Sequence, residues 1–231
     1  LWGYVPRITM KKLYKQASVN YASSHQFSTD GSPELADVKI NGEWRSVLVA
    51  GLNAGGRGYY ALDVTDPADP KPLWEICADS SVCSGALHQP NMGYTFGNPQ
   101  FGTIKVGGED RWGVFLTSGY NNIPGAADIQ SGSGKGSLFV IDVATGHAIA
   151  NLGSGGVVDG GVLTTGKGDT TTPSGLAKIT AITANPNTDP LVTYVYGGDN
   201  QGQMWRFDFT GEQVQRLLMA DAGPDQPITT R

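Results

Sequence analysis

The sequence predicts an all-β chain built from the four-stranded blades of a β-propeller, and three recurring strands carry the prediction. A strand ending in Asp occurs three times, as YYALDV at Asp63, LFVIDV at Asp142 and MWRFDF at Asp208. Ahead of each stands an apolar strand ending in Gly: WRSVLVAGLN, RWGVFLTSGYN and PLVTYVYGGDN. Ahead of each of those comes a strand introduced by Pro33, Pro99 or Pro173. Every unit then closes on a short apolar run, PLWEI, AIANL or VQRLL. Four strands joined by turns make a blade. The same order three times over is an internal repeat, which sets the architecture before any local motif does. A β-sandwich with coincidentally similar strands is the weaker alternative.

Taken in order, residues 1–30 open with the aromatic run LWGYV and continue into a charged stretch, so they read as a partial blade or an insertion. The blades are expected at about 31–76, 97–153 and 172–218, within a propeller region 31–219, leaving 220–231 as a tail or a link to a next blade. The runs SVLVAGL, GVFLTSGY and TYVYGGD are nearly continuous in apolar residues, as strands buried on both faces between neighbouring blades should be. Their terminal glycines allow close backbone approach or positive φ. Trp44 and Trp112 are expected at equivalent positions opening second strands, with Trp205 packed against a neighbouring blade. The glycine-rich stretches 122–136 and 153–171 are expected to be long connections. Propellers close with ~4–8 blades, so three imply part of a larger ring.

Composition agrees with many short strands and turns: 33 of 231 residues are Gly, about twice the usual ~7%, and 13 are Pro. A net charge of −5 without a basic stripe argues against a nucleic-acid partner. Lys11, Lys12 and Lys15 form the one basic cluster and read as a solvated face. No apolar run approaches the ~20 residues of a membrane span. The opening Leu1-Trp2-Gly3 lacks a charged n-region, so the chain reads as a processed or excised piece with no signal peptide. Cys77 and Cys83 supply half of a tetrahedral metal set, with only His88 nearby. They read as a local disulfide across a polar loop in preference to two reduced thiols, which implies an oxidising compartment.

Enzymatic motifs are weak. GVLTTGKG, Gly161 to Gly168, misses a phosphate-binding loop at its last position and has no strand-to-helix context. There is no Gly-x-Ser-x-Gly elbow, and His25, His88 and His147 are widely spaced, so nothing favours a Ser-His-Asp triad. Arg57-Gly58 is followed by Tyr59, so no Arg-Gly-Asp tripeptide exists. Tyr94, Phe96 and Tyr120 are candidates for a binding surface, and equally for packing between blades.

The stretches GGRGYYALDVTDP, GNPQFGTIKV, RWGVFLTSGYNN, GSLFVIDVATG and YGGDNQGQMWRFD resemble the C-terminal propeller domain of the PilC/PilY family. The resemblance covers residues 28 to 211 and is most specific in ALDVTDP together with GDNQGQMWRFD. It implies a modified seven-bladed propeller behind a variable N-terminal region, in type IV pilus tip-associated biogenesis factors and adhesins. It further implies export to the outer membrane and pilus tip, peripheral to the membrane given the lack of a long apolar run. Pilus components such as minor pilins, and a host surface, are the implied partners. The implied roles are pilus assembly, control of retraction, twitching motility and attachment.

The family's calcium loop aligns with NPNTDPLVTYVYGGD, which places ligand positions on Asn185, Asn187, Asp189, Leu191 and Thr193. Only Asp189 among them is a carboxylate, and Pro190 stands where such a loop usually has Gly, so no cofactor is expected. The repeat LFVIDVATGHAI also resembles quinoprotein (pyrroloquinoline-quinone) dehydrogenase propellers, but Cys77 and Cys83 are not adjacent as in their disulfide, and their recurring Trp appears after the Asp-turn only once, at Trp74. A general outer-membrane scaffold propeller is the remaining rival; it would share IDVATG and lack WRFD.

Overall fold

A computed structural model of the chain describes residues 2–125, 131–150, 152–159 and 162–230. Among the described residues, alternating apolar positions between turn-forming Gly, Asn and Asp make thirteen strands. The first four are β1 (Glu34–Ile40), β2 (Glu43–Gly51), β3 (Gly58–Asp63) and β4 (Lys71–Cys77), an antiparallel four-stranded sheet in sequence order. The second unit holds β5 (Gln100–Val106), β6 (Glu109–Thr117), β7 (Ser137–Asp142), β8 (Val158–Asp159) and β9 (Val162–Thr164). The third holds β10 (Ile179–Asn185), β11 (Asp189–Gly198), β12 (Gln203–Asp208) and β13 (Gln215–Asp221), paired β10-β11-β12-β13. One parallel pairing, Leu191 with Thr103, links β11 to β5, so the second and third units share one sheet.

The tight β1–β2 hairpin follows from Asn41-Gly42, at φ 52° and 86°, the positive-φ pair that a two-residue turn demands. Gly107-Gly108 does the same between β5 and β6, at φ 61° and 88°.

The core explains the continuous apolar runs. Along β6, Val114 and Leu116 enter one buried cluster with Val47, Val49, Tyr59 and Ile76 of the first unit. Phe115, between them, enters a second cluster with Val192, Val195, Trp205 and Phe207 of the third. β7 repeats the alternation, Phe139 and Ile141 to one side, Leu138 and Val140 to the other. A strand with a core on each face has no polar positions to spare. In β11 Tyr194 and Tyr196, on the other face, are half-buried, with the Arg206 guanidinium 5.0 Å from the Tyr194 ring centroid.

Two details differ from expectation. The second unit does not close on a regular AIANL strand: Ala148 makes a single bridge to Ile141, and β9 from the glycine-rich connection pairs with Ser137 and Leu138. Val162 and Leu163 are buried, and that gain draws the segment onto the sheet. Trp44 and Trp112 are not equivalent. Trp44 follows the hairpin residue Glu43 directly, whereas Trp112 lies three residues beyond Glu109. Trp44 is consequently 62% exposed while Trp112 is half-buried.

Residues 2–30 hold one helical turn, α1 (Arg7–Met10), and 3-10 turns. Their anchor is Glu75 on β4, whose carboxylate accepts hydrogen bonds from Tyr4 Oη at 2.6 Å, Arg7 N at 2.9 Å and Ile8 N at 3.1 Å. No helix among the described residues is long and apolar enough to cross a membrane.

Candidate functional site

The recurrent Asp is a turn anchor. Asp63 Oδ1 accepts Thr65 N at 2.9 Å and Thr65 Oγ1 at 2.5 Å. Asp208 Oδ1 accepts the same pair from Thr210 at 3.0 and 2.6 Å. Asp142 Oδ1 takes Ala144 N, Thr145 N and Thr145 Oγ1 at 3.1, 3.0 and 3.0 Å. Partial burial alone would raise the Asp63 pKa, but Thr65 and Arg45 overcome it and hold the carboxyl below its ordinary range. Thr210 lowers Asp208 likewise, against a smaller burial cost. These aspartates shape turns and face no common point.

The YGGDNQGQMWRFD signature also resolves into packing. Asp199 is fully buried. Its Oδ2 accepts from Trp205 Nε1 at 2.9 Å and Ser174 Oγ at 3.0 Å, while Oδ1 takes Gln201 N at 3.0 Å and Gln203 N at 2.9 Å. A buried carboxylate needs such donors. Asp199 and Ser174 were not singled out by sequence reasoning; the signal was an Asp ending an apolar strand, with a Trp six residues on.

The residues aligned with a calcium loop do not converge. Asn185 and Asp189 pair across a tight hairpin closed by Thr188 N on Asn185 O at 3.2 Å. Asn185 Oδ1 accepts Asn187 N at 3.1 Å, Asp189 Oδ1 accepts Leu191 N at 3.0 Å, and Thr193 Oγ1 donates to Ile182 O at 3.1 Å. Asp189, Leu191 and Thr193 run along β11, where four residues of strand span roughly 13 Å. A calcium ion needs its oxygens within ~2.6 Å. The residues present do not fit the ion, and among the described residues no cluster of three His, Cys, Asp or Glu side chains exists.

Cys77 and Cys83 are bonded, with Cα atoms 5.8 Å apart, and fold the intervening loop onto the end of β4. Within that loop Asp79 accepts from Lys11 Nζ at 2.9 Å and Ser81 N at 2.8 Å. Burial of Asp79 opposes ionisation, yet Ser81 and Lys11 keep its carboxyl below the usual range. Lys11 is therefore a tether, not simply a solvated charge.

The remaining candidates separate. Tyr94 and Tyr120 form a bridge, and Phe96 packs on Tyr120 with ring centroids 5.5 Å apart. The Arg57 guanidinium lies 5.3 Å from the Tyr94 ring centroid. These aromatics pack on one another and stay half-buried. His88 Nε2 bonds with Ala78 O at 3.1 Å, His25 packs between Tyr21 and Phe27, and His147 is exposed. Of the Gly161–Gly168 stretch, residue 161 lies outside the described part. Val162–Thr164 is strand, and Gly166 and Gly168 take φ of 71° and 95° with no helix following.

Comparison with known proteins gives a consistent result. Residues 7–228 match the family model of the PilY1 beta-propeller domain. The type IV pilus biogenesis factor PilY1 of Pseudomonas aeruginosa strain PAO1 is 34% identical over 227 residues, which is 96% of this chain and 17% of that protein. A PilY1 homolog of Xylella fastidiosa is 31% identical over 95% of the chain and 13% of its own length. The chain thus spans only a small part of these curated relatives. The crystal structure of the Pseudomonas aeruginosa PilY1 C-terminal domain superposes with a TM-score of 0.62 at 34% identity, covering 90% of this chain and 34% of that one.

Proposed function

Because the chain belongs to the PilY1 family, as part of its β-propeller domain, we propose that it is a non-enzymatic module of a type IV pilus biogenesis factor. In this reading it acts at the cell surface, on the outer membrane or pilus tip. It supports pilus assembly, control of retraction and surface attachment, with minor pilins and a host surface as partners. The observation that carries the reading is the 34% identity along 96% of the chain. It is supported by the use of the signature residues Asp63, Asp142, Asp199, Asp208 and Trp205 in turns and packing. The chain covers 34% of the solved relative, so we read 31–76, 97–153 and 172–218 as three blades of a longer ring.

The test is deletion of this segment from the whole protein in a piliated bacterium, with export of the remainder checked by surface immunoblot. Surface piliation, twitching and attachment should fall together. Unchanged values of all three, with the truncated protein exported, would overturn the reading.

A further inference from the structure

The hairpins β1–β2 and β5–β6 lie side by side, and between them runs a groove of ≈ 510 Å³ lined by Lys39, Ile40, Asn41, Glu109, Trp112 and Asp142. That volume falls in the ~300–1,000 Å³ range of small-ligand sites. Beside it stands the Trp44 ring, its centroid 6.0 Å from that of Trp112 at 70°. Neither indole N–H meets a protein acceptor among the described residues, and Lys39 and Glu109 make no ion pair there. Asp142 uses Oδ1 for its turn and leaves Oδ2 open.

An exposed Trp ring offers an apolar face with a polar handle. Around it are donors (two indole N–H groups, the Lys39 ammonium and the Arg111 guanidinium) and acceptors (the Glu109 and Asp142 carboxylates and the Asn41 amide), while Asp110 in the lining pairs with Lys105. A simple anion would meet Glu109 and Asp142, and a simple cation would meet Lys39 and Arg111. A pyranose ring suits all of them: its C–H face stacks on indole, and each hydroxyl both donates and accepts. We propose that this groove and its rim form a saccharide-binding site, with Trp44 at the rim as the stacking platform and Glu109 and Lys39 in the groove fixing the hydroxyls. The inference stands on the groove alone, so its failure leaves the pilus reading intact.

The chain, labelled and applied to a printed array of neutral and charged oligosaccharides, should bind at least one structure, and titration calorimetry with that oligosaccharide should give saturable heat. Trp44→Ala should weaken binding roughly tenfold, the equivalent of about 1.4 kcal/mol of stacking. Trp44→Phe should recover part of it, and Glu109→Gln should weaken it less. Trp2→Ala, at an exposed indole that donates to Pro67 O, should bind as the parent does. No spot above background, or binding by Trp44→Ala equal to the parent, would overturn the proposal. So would a Trp44-dependent interaction seen only with a protein ligand.

Discussion

At the residue scale, Trp205 and Asp199 form one unit, since the indole N–H is one of four donors on a buried carboxylate. Trp205→Ala removes a ring that is 3% exposed and should cost about 3–5 kcal/mol, read as a lower melting temperature. Trp205→Phe keeps most of the volume but leaves Asp199 one donor short, a loss of about 1–3 kcal/mol. A melting point unmoved by the alanine variant would place the ring outside the core. Asp63 and Asp208 set an acid limb. Their folded pKa values are depressed, so their contribution is present above the ordinary carboxylate range and lost as pH falls through the folded values. The double variant Asp63→Asn, Asp208→Asn should be less stable at neutral pH and show a flatter stability profile on the acid side of the ordinary carboxylate range. The repeated Asp-turns were legible in sequence because the Asp and its Thr are local. Asp199 was not, since its partner Ser174 is distant in the chain.

At the element scale, the hairpin from β10 to β11 is braced by Pro186 and Pro190 and by its own side-chain turns. Calcium should leave the melting temperature unchanged at millimolar concentration, and calorimetry should show no saturable heat. A rise in melting temperature that Asp189→Ala abolishes would show that the hairpin opens to take the ion. Removing the Cys77–Cys83 bond should cost roughly 2 kcal/mol on the chain-entropy account, given the short loop. Intact mass before and after reduction checks the bond itself. Sequence spacing made most strand positions readable, because hairpin glycines and apolar alternation are local signals. It missed β9, since Val162-Leu163-Thr164 is a strand only when the edge of β7 is there to pair with it. The two-residue offset between Trp44 and Trp112 was hidden for a related reason: strand periodicity preserves the face of a residue and says nothing of its distance from the turn.

At the scale of the whole molecule, the units are held by contacts that only their juxtaposition creates. Gly146, at φ 73°, sits where a Cβ would come within 2.6 Å of the Trp74 ring, and Trp74 Nε1 donates to Val143 O at 2.9 Å. Gly146→Val should lower the melting temperature through both the clash and the left-handed backbone, while Gly211→Val, in more open surroundings, should change it little. Unequal effects in that order test whether the turn of the second unit is seated on the first. The alternation of β6 and β7 between two clusters carries a further consequence. Phe115 and Phe139 hang from adjacent strands of one sheet but fill different cores. Any backbone shift that relieves a void on one side must displace side chains on the other. The two cores are thus energetically coupled through a common wall, and Phe115→Ala with Phe139→Ala should depart from additivity although the two rings belong to separate clusters. Melting should be a single transition, because the middle unit cannot unfold without uncovering both of its neighbours.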